Sequence, residues 1–409
     1  MKELYSGSLF WPGTLSKKRD YPPLRQNKKA QVAIIGGGMS GTICSTVFIR
    51  SGLSVIMLER GQVAGGSSSA NTGMLQSFND IMLCDLIERI GERDAISFYK
   101  ACNHAVDLLA AEAAELSVDV AFKRRSSLYF ASTDQDFPKL IREYETLRAC
   151  GIDAQFWNAD DIAKHFPFRK SGAIVSHGDA EVNPYQFVNA LAKAAADAGV
   201  EVHEQTDVVE HITLPGGLHR LRTADGFELE AEHVVYAVGY EPEELRGKLI
   251  KANLNRSFVM VTGIQQDLQS WHERFLIWET ARPYLYLRTT VDGRVVIGGL
   301  DEEPGEPLHG EQARYNKGEM LHKQLQALFP ELRAPIEYVW SATFGESCDQ
   351  LPFIGADPAW KNVYYCLGYG GNGSVFSMLA AHILRDLICG YENPLTNIVK
   401  LDRKSLTSV

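Results

Sequence analysis

Three stretches of the chain carry residue types whose spacing suits chemistry. The first, Gly36-Gly37-Gly38-Met39-Ser40-Gly41, fits Gly-x-Gly-x-x-Gly at Gly36, Gly38 and Gly41 and follows the β-branched run 31–35. In such a pattern the first glycine makes the tight turn and the second lets backbone approach a pyrophosphate. The third lets the next helix pack on its strand, and the helix N-terminus adds partial positive charge. Glu59 stands 18 residues beyond Gly41, at the end of a second apolar run over 54–58. A carboxylate there accepts hydrogen bonds from ribose hydroxyls and repels a 2′-phosphate, so strand, turn, helix and acid together predict a dinucleotide site. The second stretch is the glycine cluster 368–373 (GYGGNG), which opens an apolar helix over 374–389 and offers amides at its N-terminus. The third holds Tyr284, Tyr286 and Arg288, which the strand period places on one face. That face is either an amphipathic pocket wall with an anion anchor or the outer face of an antiparallel sheet.

The elements that must position these residues are legible in outline. A length of 409 residues corresponds to roughly two or three domains. With 45% apolar and 22% charged residues the composition is that of a globular protein, which excludes a disordered, collagen-like or coiled-coil chain. The net charge of −10 comes without a basic block, so nucleic acid is not an expected partner. Seven scattered cysteines without a CxxC pair read as reduced thiols. No window approaches the ~18 apolar residues of a membrane span, and the N-terminus lacks a signal-peptide pattern, which predicts a soluble, cytoplasmic protein. Eleven histidines include no HxH or HExxH, so no metal site is expected, and Ser126–Ser127 lack a GxSxG elbow for hydrolase chemistry. The pattern predicts helices over 80–118 and 136–148, and a helix from Pro184, capped by Asn183, to Ala198. It predicts strands over 128–131, 201–204 and 363–367, and hairpins at Asp225-Gly226 and Asp292-Gly293. Residues 1–29 read as an extension that wraps over a surface, with Phe10 and Trp11 as anchors.

Beyond the first motif, Gly65–Gly73, Asp179–Gly199, Thr206–Val209, Val234–Gly239, Trp340–Gly355 (WSATFGESCDQLPFIG) and Gly368–Gly373 follow in order over nearly the whole chain. This series resembles the D-amino-acid-oxidase-type FAD oxidoreductases, which include glycine oxidase, sarcosine oxidase and γ-glutamylputrescine oxidase. The extension and the GYGGNG cluster look most like the γ-glutamylputrescine-oxidase branch. The resemblance implies an α/β fold: a Rossmann-like FAD-binding domain from segments 30–88, 172–244 and 340–395. An antiparallel-sheet substrate domain from 89–171 and 245–339 is inserted in it, with a C-terminal tail over 396–409. It implies FAD contacts at Gly36, Gly38, Met39, Ser40, Gly41, Glu59, Arg60, Ser67, Ser68, Asn71, Thr72, Gly73, Val208 and Gly239, and at Gly370, Gly371, Asn372 and Gly373. Amides of Gly370, Gly371 and Gly373 would stabilise negative charge around flavin N1 and the C2 carbonyl.

The departures from the family pattern speak about substrate. Phe344 stands where a glycine-oxidase-like arginine would hold the substrate carboxylate, and Val375 where a sarcosine-oxidase-like lysine would help. An α-amino acid buried without those cations is disfavoured by several kcal/mol. Ala342 occupies the position of a flavin-linking cysteine, so FAD is expected to be non-covalent. An apolar residue near Val296 replaces an oxygen-activating lysine, which leaves the acceptor open between oxygen and another species. Glu346 and Asp349 are acid–base candidates, although an Asp before Pro is commonly a turn residue. His177 and Asp179 read as loop or capping residues. The expected function is oxidation of a C–N bond of a small amine, with Tyr284, Tyr286, Arg288 and Phe344 at the reacting end. A D-amino-acid or 2-hydroxy-acid enzyme anchored by Arg288, and a flavoprotein subunit of a larger complex, are the alternatives. Assembly into a homo-oligomer stays open.

Overall fold

The strand Lys28–Ile35 ends in a run buried on both faces, as a strand inside a parallel sheet requires. In the computed structural model, which describes residues 3–240, 252–303 and 305–406, it pairs in parallel with Val55–Leu58 on one side and Glu228–Tyr236 on the other. Glu201–His203 and Val363–Leu367 extend this sheet in parallel, and Phe353–Ala356 closes one edge in antiparallel sense. Helices Met39–Arg50, Pro184–Asp197 and Gly373–Ile388 pack together on one side of it. Asn183 caps its helix through Oδ1, which accepts the Gln186 amide at 3.1 Å, and Pro184 opens the first turn. The Asp225-Gly226 hairpin joins His219–Thr223 to Glu228–Tyr236 as expected.

The second sheet has ten strands. Among the described residues, its path runs from Tyr5–Gly7 through Ile336–Ser347, Ala252–Thr262, Val295–Glu302, Tyr286–Thr289 and Leu276–Glu279 to Lys123–Phe130, Gly172–Glu181 and Met74–Leu75, and the tenth strand, Gln155–Asn158, pairs with Gly172–Glu181 off that path. One face packs Met260, Ile277 and Ile297 against Leu321 and Leu325 of helix Glu311–Leu328. The opposite face carries Val259 and Trp340 and meets Trp11 and Ala70 from the nucleotide-binding side.

Several expectations change here. The region expected as one helix over 80–118 is two, Leu83–Ile90 and Glu92–Glu115, because Gly91 sits at φ +89°, which an α-helix does not contain. Segments 172–244 and 340–395 were expected wholly in the nucleotide-binding unit. Instead Gly172–Glu181 pairs with Lys123–Phe130, and Ile336–Ser347 pairs with Ala252–Thr262, so both strands belong to the antiparallel sheet. The boundary expected at 244/245 lies outside the described residues. The N-terminal extension adds an edge strand, Tyr5–Gly7, on residues 340–342 and buries Phe10 and Trp11. Asp179 is a strand residue with no exposure whose carboxylate gathers the hydroxyls of Ser77, Ser127 and Ser176 and the Ser77 amide. His177 remains at the surface, bonded to Ser126.

Asp349 is a turn residue tied to the C-terminal segment. Its oxygens accept Arg403 Nε at 2.6 Å and Nη2 at 2.7 Å, in a pair 2% and 0% exposed. Burial opposes ionisation of Asp349, but Arg403 and the Ser405 and Ser347 hydroxyls hold its carboxyl below the usual range. Breaking such a pair leaves an uncompensated charge and costs about 3–5 kcal/mol. Arg403→Ala should therefore lower the melting temperature by roughly 5 °C or more; a thermal scan showing no shift would contradict this reading.

Candidate cofactor and substrate site

A cavity of about 730 Å³ opens at the carboxyl ends of the parallel strands, within the size range of ligand pockets. At one end it is lined by Glu59, Arg60, Val208 and Gly239, and in the middle by Gly36, Gly38, Met39 and Ser40. Ser67, Ser68, Asn71 and Gly373 line its walls, joined by Tyr240, Tyr369, Ser374 and, from the N-terminal extension, Leu4 and Tyr5. Glu59 is held in place by the Gly37 and Gly61 amides, each 2.7 Å from one of its oxygens. Burial raises its pKa, and those amides oppose the rise. Two bonds leave lone pairs on the carboxylate for ribose hydroxyls.

These residues fit FAD. Gly36 has φ +110°, and a Cβ there would stand 2.3 Å from the Ala237 carbonyl oxygen. Ser67 Oγ is buried on the cavity wall without a hydrogen-bond partner, as a group awaiting a ligand would be. Gly41 does not line the cavity. It lets the helix close on its strand, where a Cβ would stand 1.9 Å from the Gly36 oxygen.

Other expected contacts lie elsewhere. Thr72 and Gly73 sit outside the cavity lining: the Thr72 carbonyl accepts Arg288 Nε at 2.7 Å, and a Cβ on Gly73 would meet the Val182 oxygen at 2.2 Å. Arg288 shares a buried face with Tyr286 but is itself consumed by protein. Its nitrogens donate to Thr72, Val182 and Thr289 carbonyls, its Nη1 lies 3.5 Å from Glu181, and Trp11 covers it. That arrangement argues against Arg288 as a substrate anchor. The Gly370 amide donates to the Gly345 carbonyl, and the Gly371 amide to Asp80 Oδ2 at 2.6 Å. Neither is directed at the cavity as expected, and Asn372 instead bonds to the Gln76 carbonyl and Asn79. From that cluster Gly368, Tyr369 and Gly373, with Ser374 at the helix N-terminus, remain to line it.

The structure gathers residues around Tyr284 and Tyr286 that the sequence reading did not single out. Tyr284 donates to Asp80 Oδ1 at 2.9 Å, and Arg282 lies 4.6 Å from the Tyr284 ring centre and bonds to the Asp80 carbonyl. Tyr286 lies 3.4 Å from the Ser257 hydroxyl and crosses over Gly298, where a Cβ would stand 2.3 Å from the ring. Phe344 and Glu346 share one face of their strand, opposite Asn255 and Asn253. Burial, then Asp80, pushes the Glu346 carboxyl up to about 7, with Arg282 opposing; burial likewise raises Asp301 to about 6. Asp301 escapes a period-two reading because Gly299 at φ +141° and Leu300 at φ +58° form a bulge that turns it onto the Tyr286 face. Asp80 comes from a segment between elements, where no period applies.

Gly41→Ala should cut bound flavin per chain several-fold, read as the ratio of visible to ultraviolet absorbance; full loading would refute the close-approach argument. For Glu346 the folded pKa of about 7 exceeds the ordinary ~4.3 of an unfolded chain. Its contribution is complete below the unfolded value and is lost as pH rises through the folded one. The melting temperature of the wild type relative to Glu346→Gln should thus fall between pH 5 and pH 8, whereas a constant difference would show an unshifted carboxyl.

Known proteins resemble this chain in sequence and in fold. The sequence pattern of the family described as "DAO: FAD dependent oxidoreductase" matches residues 31–387. Glycine oxidase of Bacillus licheniformis is 26% identical over 376 residues, covering 90% of this chain and 95% of that protein. Gamma-glutamylputrescine oxidoreductase of Escherichia coli (strain K12) is 24% identical over 94% of this chain and 89% of its own length. In fold, the crystal structure of glycine oxidase from Geobacillus kaustophilus superimposes with a TM-score of 0.79 at 22% identity, over 92% of this chain and 99% of that one. The chain belongs to the DAO family of FAD-dependent oxidoreductases, and FAD is its cofactor.

Proposed function

We propose that this oxidoreductase oxidises the C–N bond of a small amine that lacks a carboxylate at its reacting end. The observation that carries the reading is the charge around Tyr284 and Tyr286: among the described residues, Asp80, Asp301 and Glu346 stand against the guanidinium of Arg282. Apolar Phe344 and Val375 stand where carboxylate-binding cations were expected, and Arg288 spends its donors on backbone carbonyls. The chemistry supplied by bound FAD is two-electron oxidation, in which a hydride leaves the amine's α-carbon, the nitrogen lone pair closes a C=N bond, and water hydrolyses the product.

The chain's own residues prepare the amine. A protonated amine has no lone pair to form that bond, so a base must first take its proton. Glu346, raised to about 7, is the group matched to that task near neutral pH. Tyr284 and Tyr286, both buried and raised well above the usual phenol range, stay neutral and provide a wall that excludes water. Ala342 offers no nucleophile for a flavin linkage, which supports non-covalent FAD.

Arg282 supports a second reading, a D-amino acid whose carboxylate binds that guanidinium beside Tyr284. Anaerobic bleaching of the flavin separates the two. Primary alkylamines are expected to bleach it, and Arg282→Ala to leave that bleaching in place. Bleaching by α-amino acids alone, abolished in Arg282→Ala, would overturn the amine reading.

A further inference from the structure

The face that holds Tyr286 continues onto neighbouring strands as an aromatic and acidic surface. Trp278 pairs directly with Tyr286 across the strands, stacks on Tyr129 at 3.8 Å between ring centres, and meets Tyr284 edge-on at 6.2 Å. Two polar atoms of this surface are buried without a hydrogen-bond partner, Asp301 Oδ1 and Trp278 Nε1, the tryptophan being only 4% exposed. An ionised carboxylate oxygen only accepts and an indole nitrogen only donates, so Asp301 Oδ1 calls for a donor beyond the Ser257 hydroxyl that its carboxylate already accepts. A ligand that meets Asp301 must bring an N–H or O–H donor.

Charge points the same way. Asp80 is engaged with the Tyr284 hydroxyl and the Gly371 amide, and Arg282 lies beside it. Neither Asp301 nor Glu346 forms a salt bridge with a described residue, yet each faces the field of the other carboxylates. A cation brought by a ligand lowers that repulsion, and aromatic faces around it add attraction. A second cavity of about 270 Å³ is lined by Asp80, Tyr129 and Arg282, with Asp85, Asp136 and Lys139, and so adjoins the ring on which Trp278 stacks.

We propose that the substrate is a diamine or polyamine whose second, non-reacting nitrogen is a cation bound by Asp301 against the aromatic wall. This inference rests on the amine reading above. One nitrogen remains charged and donates to Asp301; the other, uncharged at the reacting end, keeps its lone pair for the C=N bond. An alkyl monoamine has only one polar end, and an ω-amino acid places a second anion among carboxylates.

The test uses the flavin-loaded enzyme and three compounds of one chain length: 1,6-diaminohexane, hexylamine and 6-aminohexanoate. The concentration giving half-maximal anaerobic bleaching is expected to be at least tenfold lower for the diamine than for either other compound. Asp301→Asn should shrink the diamine-to-hexylamine ratio by about tenfold, an effect on discrimination that a purely structural role would not produce. Equal potency of hexylamine, a preference for 6-aminohexanoate, or a ratio unmoved in Asp301→Asn would overturn the proposal. If only α-amino acids bleach the flavin, the amine reading falls by itself. The second-charge proposal is then decided by D-lysine against D-norleucine, upheld in altered form by a tenfold preference for lysine and overturned by parity. If nothing bleaches, perturbation of the flavin spectrum by 1,6-diaminohexane but not hexylamine supports charge recognition, and no difference rejects it.

Discussion

Helix Met39–Arg50 approaches the end of strand Lys28–Ile35 so closely that a Cβ at Gly41 would stand 1.9 Å from the Gly36 carbonyl oxygen. Everything built around the cofactor cavity takes its position from that contact. It sets the height of the helix N-terminus over the sheet, and hence how near a diphosphate can come to the helix end. The neighbouring helix Gly373–Ile388 is registered against it through the Ser40 and Ser377 hydroxyls, 2.7 Å apart. Two helix ends thus face one cavity because two glycines allow backbone to touch backbone.

Buried charge ties the antiparallel sheet to the segment that follows the serine-rich wall of the cavity. Arg288 reaches the carbonyls of Thr72, just after that wall, and of Val182, just after strand Gly172–Glu181. Trp11 covers the guanidinium and donates to the Asn71 carbonyl at 2.6 Å, bringing the N-terminal extension into the same joint. Burial disfavours the charged form of Arg288, and the carboxylate of Glu181 compensates. A cation so enclosed orders backbone around the cofactor site, and the substrate side of the sheet is left to acids. The same sheet face therefore has a cationic end that is structural and an acidic end at Asp301 and Glu346.

Much of the nucleotide-binding half was legible because its signals are local. The turn at 36–41, the acid at 59 and the helix start at 183–184 each depend on residues a few positions apart, and their geometry follows from glycine, proline and capping chemistry. The hairpins at 225–226 and 292–293 were readable for the same reason. What failed was long-range. The amides of Gly370 and Gly371 looked available in the sequence, but Gly345 and Asp80, distant along the chain, occupy them. Arg288 lay on the anticipated face, yet its neighbours on that face are carbonyls that no strand period reveals.

Glu346 shows the division most clearly. The motif around it marked it as an acid–base candidate, but did not give its raised pKa, which burial beside Asp80 creates. Asp301 became its neighbour only through a bulge at Gly299 and Leu300 that reverses the alternation of side chains. The sequence by itself determined the dinucleotide cradle, the family and the loss of the expected substrate cations, since these are written in residue types at short spacing. Only the tertiary structure decided which polar groups are already spent and which carboxylates meet, because desolvation and pairing belong to the space between strands rather than to any one of them.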